Sequence, residues 1–291
     1  MPGQRLSYLF EQVFGTPEQY PYVRGFRPAG QPDSALTLLL FVFDSNLPCG
    51  AEEHGPGALL QALAQGKIGD AEVSRLIQLS KEAAQNKCVL GLNGKEMKFE
   101  PNNTIRVVLL HHHPVAEWKA KKVQLQRSQE SWTRWFTSPV AAVIDWWESA
   151  NEAAMKLVGA DEFLEGCFSA SIQLILFGHQ HNPYRRAVVM EGNAGVTGPF
   201  GETKNLRAFC CPTTLAVSEY GNGFYLFDFM DNNNFSMDFY LSRPSEENLP
   251  MPFSRIAAKS DVFKLSELSP EELESAYTAP PPLVLRPNSE V

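Results

Sequence analysis

Two short apolar runs that each lead into a histidine cluster constrain the fold of this chain most strongly. The runs are Ile105–Leu110 and Ile172–Phe177. The clusters that follow them contain five of the six histidines: His111, His112, His113, His179 and His181. Runs this short and this apolar predict buried strands. Because ligands bind beyond the carboxyl ends of strands in an open α/β sheet, imidazoles in this position predict a metal site.

Composition and charge limit which partners and which cellular location are expected for this protein. The net charge of −8 argues against a nucleic-acid partner, because binding to a phosphate backbone needs a basic surface. The longest apolar run, Leu36–Phe43, is too short to cross a bilayer, so no membrane partner is expected. The five cysteines are odd in number and have no CxxC spacing. They predict no disulfide framework, and a reducing cytoplasm is the expected location.

The remaining pattern predicts helices, short strands and one tail. Further strands are predicted at Ala35–Phe43, Arg186–Met190, Thr213–Ser218, Phe224–Phe229 and Phe235–Leu241, with a hairpin-like turn at Gly221–Gly223. Helices are predicted from Asp70, as N-cap, to Asn86 and over 143–157. Residues 1–33 are predicted to be irregular. One domain is expected over 1–265, followed by a Pro- and Glu-rich mobile tail over 266–291.

The order of these motifs resembles the calcineurin-like metallophosphoesterases, specifically their carboxy-terminal half. Gly178-His179-Gln180-His181 matches the family's GHxH motif. Val107–Pro114 resembles its preceding histidine motif, in which the ligand lies two residues before the proline. The resemblance implies an α/β fold, a layered αββα sandwich of the metallophosphoesterase kind that lacks the family's amino-terminal strands.

The same resemblance implies an activity and its cofactors. It implies a metal-dependent phosphoric ester hydrolase, in which a metal-activated hydroxide attacks a small-molecule phosphate ester. Two divalent ions (Mn, Fe or Zn) are expected in a complete site. Carried over, His112 and His179 bind one ion and His181 binds its partner. Gly178 is expected to let the backbone pass close to the metals, since it has no Cβ to clash.

Several neighbouring residues are candidates for supporting roles. His111 and His113 are expected on the opposite side of the extended chain from His112. Asp44 is either a solvated residue at a strand end or a substitute carboxylate for the site. The candidates for phosphate contact are Arg185, Arg186 and Arg5.

The chain departs from the family in its carboxylate motifs. DxH, GDxxD and GNH[DE] do not occur, and the opening Pro2-Gly3-Gln4-Arg5 falls where the family has Pro-Gly-Asn-His. Two explanations stay open: the sequence is a fragment of a complete phosphoesterase, or it is a shortened, non-catalytic relative that acts as a binding or regulatory module. Missing strands also predict self-association through an exposed sheet edge.

Overall fold

The described part of the chain is built around apolar strands that pair in parallel. The computed structural model describes residues 20–45, 66–115, 157–178, 184–191, 194–212, 222–242, 254–255, 261–268 and 283–285. Within these ranges the chain folds into a sheet-rich α/β structure with two long helices. The predicted α/β class is therefore confirmed.

Seven strands form the first sheet. They are β1 (Tyr22–Phe26), β2 (Thr37–Val42), β5 (Thr104–Leu109), β6 (Leu174–Phe177), β7 (Tyr184–Met190), β10 (Asn205–Cys210) and β15 (Leu283–Leu285). Their order across the sheet is β1-β2-β5-β6-β10-β7-β15. The neighbours from β2 to β10 pair in parallel, whereas β1 and β7 run antiparallel to them. The carboxyl ends of β2, β5, β6 and β10 therefore lie along one edge of the sheet.

A second, antiparallel sheet and two small hairpins complete the strands. The second sheet contains β11 (Asn222–Phe229), β12 (Asn234–Ser242), β13 (Ser254–Arg255) and β14 (Asp261–Lys264). The hairpins are β3 (Cys88–Leu90) with β4 (Glu96–Lys98), and β8 (Val196–Gly198) with β9 (Gly201–Thr203). The helices are α1 (Asp70–Asn86) and α2 (Ala160–Ser169), and a 3₁₀ turn spans Pro101–Asn103.

Side chains along the strands of the first sheet alternate between its two faces, and each face has its own hydrophobic core. On one face, side chains such as Phe41, Val108 and Ile175 pack against the helices, including Leu76 of α1 and Phe163 of α2. On the other face, side chains pack against the second sheet; the buried ones are Ile105, Val107, Leu174, Phe209, Phe235, Met237, Phe263 and Leu265. Because successive side chains of a strand point to opposite faces, a strand buried on both faces reads as a continuous apolar run. The layers are thus helix, sheet, sheet.

Most predicted elements that fall in the described ranges are confirmed, with shifted ends. The strands predicted at Ala35–Phe43, Ile105–Leu110 and Ile172–Phe177 correspond to β2, β5 and β6. Those predicted at Arg186–Met190, Phe224–Phe229 and Phe235–Leu241 correspond to β7, β11 and β12. The predicted strand at 213–218 and, apart from Leu157, the predicted helix at 143–157 lie outside the described residues.

Three local predictions are wrong. Residues 22–26, predicted to be irregular, form β1, because the backbone pairs with β2 regardless of the Gly25 that interrupts the pattern. The N-cap of α1 is Gly69, whose N–H donates to Glu72 Oε2 at 3.0 Å, and Asp70 is the first helical residue. Asn222 and Gly223 lie within β11 and not in a turn, since the hairpin turns at 230–233 instead.

The segment predicted to be a mobile tail contributes one strand. Leu283–Leu285 pairs in parallel with β7, from Val188 to Met190, and so extends the first sheet. Leucine and valine suit an extended backbone, and a free strand edge gains hydrogen bonds when a further strand is added.

Candidate functional site

The candidate site lies where four parallel strands end at a common edge. Backbone hydrogen bonds connect these ends: Phe43 N–H donates to Leu109 O at 2.9 Å, and Leu110 N–H donates to Leu176 O at 3.1 Å. Further along, Cys211 N–H donates to Phe177 O at 2.6 Å. The residues that follow β2, β5, β6 and β10 are therefore held next to one another, as the two histidine motifs predicted.

His112 is held at this edge by Ser45, which follows β2. The Ser45 hydroxyl and His112 Nδ1 are hydrogen-bonded at 2.9 Å. The backbone N–H groups of His111 and His112 also donate to the Ser45 hydroxyl, at 3.3 and 3.2 Å. Ser45 is fully buried and His112 is 3% exposed. Sequence reasoning missed Ser45, because a serine after a strand is an ordinary turn residue and nothing local indicates a contact 67 residues away.

Gly66 also lies against the His112 ring, next to Ser45. A Cβ at Gly66 would lie 2.2 Å from His112 Nδ1, 2.3 Å from its Cγ and 2.6 Å from Ser45 O. The loop is fixed at this place, because Lys67 N–H donates to Ser45 O at 3.1 Å and Val158 N–H donates to Gly66 O at 2.9 Å. We call the place where Ser45 and Gly66 lie against the Nδ1 side of the His112 ring the Ser45–Gly66 slot.

The other two histidines of the first cluster do not follow the predicted alternation. His111 is exposed, but His113 is buried like His112, with 2% exposure. The expectation of opposite sides is wrong because β5 ends at Leu109 and the backbone bends through the cluster instead of continuing as a strand. The His113 ring packs edge-on against Phe177 at 5.2 Å, and the His111 and His112 rings are 4.9 Å apart.

The two histidine motifs touch through Gly178. Its N–H donates to His111 O at 3.2 Å, and its carbonyl accepts a contact from Cys210 Sγ at 3.8 Å. Among the described residues, a Cβ at Gly178 would meet only His111, at 3.9 Å from Nδ1 and 4.0 Å from O. These are ordinary contact distances. The close approach predicted for Gly178 is to the metals and stays a prediction, whereas Gly66 lies close to a described side chain, that of His112.

Cys211, which lies next to this contact, has a thiol of low reactivity. Burial raises the pKa of its thiol to about 11, which a hydrogen bond from the backbone of Phe177 only partly offsets. The thiol is therefore protonated near neutral pH and is a poor nucleophile and a poor metal ligand in that form.

The arginine and aspartate candidates lie at or near the same edge. Arg185 and Arg186 begin β7, beside the end of β10, and project to opposite faces of the sheet. The Arg185 guanidinium stacks over Phe263 of the second sheet, 4.8 Å from the ring centroid. Asp44 is half-buried between β2 and Ser45. Arg5 lies outside the described residues.

The proposed metal ligands are only partly described. No group of three or more His, Cys, Asp or Glu side chains that could hold a metal occurs in the described ranges. His179 and His181 fall outside those ranges, directly after Gly178. Of the three proposed ligands, only His112 lies in the described ranges, and imidazole is a ligand type that suits Mn, Fe or Zn.

Comparisons with known proteins add little. No protein-family model and no curated protein matches the chain. Among solved structures, the chain is similar to GAP50, the anchor in the inner membrane complex of Plasmodium, at 11% identity and a TM-score of 0.32. The match covers 82% of this chain and 54% of that one, so this chain spans about half its length. At this score the similarity assigns neither fold nor function. No helix within the described residues is long and apolar enough to cross a membrane.

Proposed function

We propose that this protein is a metal-dependent phosphoric ester hydrolase of the calcineurin-like metallophosphoesterase type, with a layered αββα sandwich. The observation that supports the proposal best is the contact between the two histidine motifs. Gly178 is hydrogen-bonded to His111, and His179 follows Gly178 directly, one Cα–Cα step of about 3.8 Å further along the chain. His112 and Gly178, the residue that precedes His179, thereby lie at the same edge of the first sheet.

The chain's own residues have separate roles in this proposal. His112 and His179 hold one divalent cation, and His181 holds its partner. The chemistry that such cations supply is polarisation of the phosphoryl group and a lower pKa for water. Arg185 and Arg186 orient the ester through charge-assisted hydrogen bonds to its phosphate. The stacking of Arg185 on Phe263 is compatible with this role, because stacking uses the face of the guanidinium and phosphate binding uses its N–H edge.

A second candidate function is a non-catalytic binding or regulatory module. One sequence observation favours it: the family's carboxylate-bearing motifs DxH, GDxxD and GNH[DE] do not occur in this chain. Asp44 is the candidate to replace a bridging carboxylate, since it follows β2 and precedes Ser45. The two candidate functions differ in how many metal ions the chain holds.

Metal stoichiometry separates the two functions. The chain is purified without chelator, reloaded with Mn, Fe or Zn, and analysed for bound metal beside the variants His112→Ala and His54→Ala. A hydrolase is expected to hold about two ions per chain and to cleave aryl phosphate monoesters or diesters. His112→Ala is expected to lose at least one ion, whereas His54→Ala, the sixth histidine and outside both motifs, is expected to keep both. No bound metal in the wild type, or equal loss in both variants, contradicts the proposal.

A further inference from the structure

We infer that Tyr225, in β11 of the second sheet, is an anion-binding residue: its hydroxyl donates a hydrogen bond to a phosphate group that the Arg185 guanidinium holds beside the end of β10. That this phosphate belongs to the substrate ester rests on the proposed function. The anion site itself rests on the packing between the two sheets and is tested with inorganic phosphate.

Phe209 brings Tyr225 and Arg185 next to each other. Arg185 lies directly opposite Phe209 in the antiparallel pair of β7 and β10, so both side chains project from the same face of the first sheet. That face packs against the second sheet, from which the Tyr225 ring contacts Phe209 edge-on, with 6.2 Å between the centroids. Arg185 is held on this face by its stacking over Phe263, at 4.8 Å. Both hydrogen-bond donors therefore adjoin the Phe209 ring.

The Tyr225 hydroxyl lies at the carboxyl edge of the first sheet. The groups that act on it electrostatically are Cys211, Cys210 and Arg185. Cys210 ends β10, Cys211 follows it, and Arg185 is the second residue of β7, which starts beside them. β10 pairs in parallel with β6, and neighbouring strands are about 4.8 Å apart. The end of β10 next to this hydroxyl is therefore one strand spacing from the end of β6 and from Gly178, which follows it.

The surroundings of the hydroxyl favour a negatively charged ligand. Burial raises the pKa of Tyr225, and the thiols of Cys211 and Cys210 raise it further, whereas the Arg185 guanidinium lowers it. No carboxylate of a described residue is among these groups. The hydroxyl therefore keeps its proton near neutral pH and acts as a donor, and the guanidinium is the neighbouring charge that attracts an anion.

The ring of Tyr225 is fixed by packing, whereas its hydroxyl is available to a ligand. The ring contacts those of Phe209, Phe227 and Phe239, at centroid distances of 6.2, 5.9 and 5.3 Å. Tyr225 is only half-buried, and its hydroxyl makes no hydrogen bond to any residue that the structure describes. Because a tyrosine packed in this way usually has a partner for its hydroxyl, the arrangement points to a bound group as that partner.

A role in proton transfer does not fit the same surroundings. A general acid or base works best when its pKa lies near the operating pH, and the pKa of Tyr225 is raised away from neutrality. Tyr225 is therefore a binding residue, and its loss is expected to change the affinity for the phosphate group more than the chemical step.

The test compares Tyr225→Phe with Tyr240→Phe, because each substitution removes one hydroxyl from the second sheet and keeps the ring. Tyr240 is a matched control, since it is also half-buried and also packs on an aromatic ring, that of Phe224, at 4.9 Å. It follows Phe239, whose ring contacts Tyr225 on the inner face. Successive side chains of a strand alternate, so Tyr240 projects from the outer face, away from the first sheet.

Two quantities are measured in each protein: the affinity for inorganic phosphate by calorimetry, and KM and kcat for an aryl phosphate after metal loading. The affinity for phosphate is expected to fall about 10-fold in Tyr225→Phe and to stay unchanged in Tyr240→Phe, since a hydrogen bond to a charged group is lost only in the first. KM is expected to rise by a similar factor in Tyr225→Phe, with little change in kcat. Arg185→Gln is expected to lose at least as much affinity, because it removes the charge.

The outcomes distinguish the inference from the proposed function. A wild type that binds no phosphate, or a Tyr225→Phe variant that binds it as tightly as the wild type, overturns the inference. Wild-type affinity in Arg185→Gln also overturns it and decides the question even where Tyr225→Phe does not fold. Phosphate binding that depends on Tyr225, in a protein that holds no metal and cleaves no ester, leaves the anion site standing and contradicts the proposed function. Ester cleavage with a KM that Tyr225→Phe does not change has the reverse meaning.

Discussion

Replacing Gly66 by alanine is expected to destabilise the protein and displace His112. The added Cβ would lie 2.2 Å from His112 Nδ1 and 2.6 Å from Ser45 O, where ordinary contacts begin near 3.4 Å. One of these neighbours is backbone, so the overlap cannot be relieved by turning a flexible side chain. Overpacking of this kind costs about 1–3 kcal/mol of unfolding free energy. In a protein of this size that corresponds to a fall in Tm of roughly 2–5 °C.

Gly178→Ala is the matched control, because the same methyl group is added at the other glycine of the site. Among the described residues it would meet only His111, at 3.9 Å. Alanine also restricts the unfolded chain, so this variant is expected to be neutral or more stable by about 0.4–1 kcal/mol. The assay is urea denaturation followed by circular dichroism, with Zn affinity as the second readout. The reasoning is refuted if Gly66→Ala is as stable as the wild type, or if Gly178→Ala loses more stability than Gly66→Ala.

Two further predictions concern the thiol beside the site and the core between the sheets. Burial raises the pKa of Cys211 to about 11, so its contribution to stability is complete below the ordinary value of 9.0 and is lost as the pH rises through about 11. Between pH 8 and 10 the free energy of unfolding is therefore expected to fall by about 1 kcal/mol more in the wild type than in Cys211→Ser. Burial lowers the pKa of Arg106 to about 10, so its effect on the free energy of unfolding as the pH rises has the opposite sign. Arg106 is present in both proteins, so its effect cancels in the comparison. An equal pH dependence of the unfolding free energy in the two proteins would contradict the prediction. Phe209 is 1% exposed and packs edge-on against four rings, at 5.4 Å from Phe227 and 5.8 Å from Phe263. Phe209→Ala is expected to cost about 3–5 kcal/mol in urea unfolding and Phe209→Leu clearly less, and a cost below about 1 kcal/mol for the alanine variant would show that the second sheet is not held through this ring.

Among the parallel strands of the first sheet, the sequence predicted those that contain at least three consecutive Leu, Ile, Val or Phe residues. β2, β5 and β6 are of this kind, and the histidines after β5 marked the edge where four strands end. β1 and β10 were not predicted, because neither contains such a run, and in β10 Arg207 stands among the apolar residues. Arg207 is nevertheless buried, since it donates to Lys264 O at 2.9 Å and lies 5.3 Å from the centroid of Phe263. No pattern local to β10 indicates these distant partners.

In the candidate site, too, the sequence predicted what a local motif indicates and missed what depends on residues far apart in the chain. His112 was found from its position before Pro114, which is a local motif. Ser45 and Gly66 were not found, because their roles depend on the position of a ring far along the chain. Gly178 was found from the motif alone, and its predicted role, a close approach of the backbone to the metals, stays a prediction. The motif thus identified His112 as a candidate ligand, and the structure identified Ser45 and Gly66 as the residues that contact it.

The separation along the chain between β2, β5 and β6 has a consequence for folding. Ser45 and His112 are 67 residues apart, and Arg106 and Gln173, which bond across the next pair of strands, are also 67 residues apart. Contacts between such distant residues form slowly, because the entropy of loop closure is lost before the contacts form. The Ser45–Gly66 slot therefore exists only in chains whose parallel strands have already paired. A ligand that bound at this edge would bind only those chains, and it would therefore stabilise the folded protein by mass action.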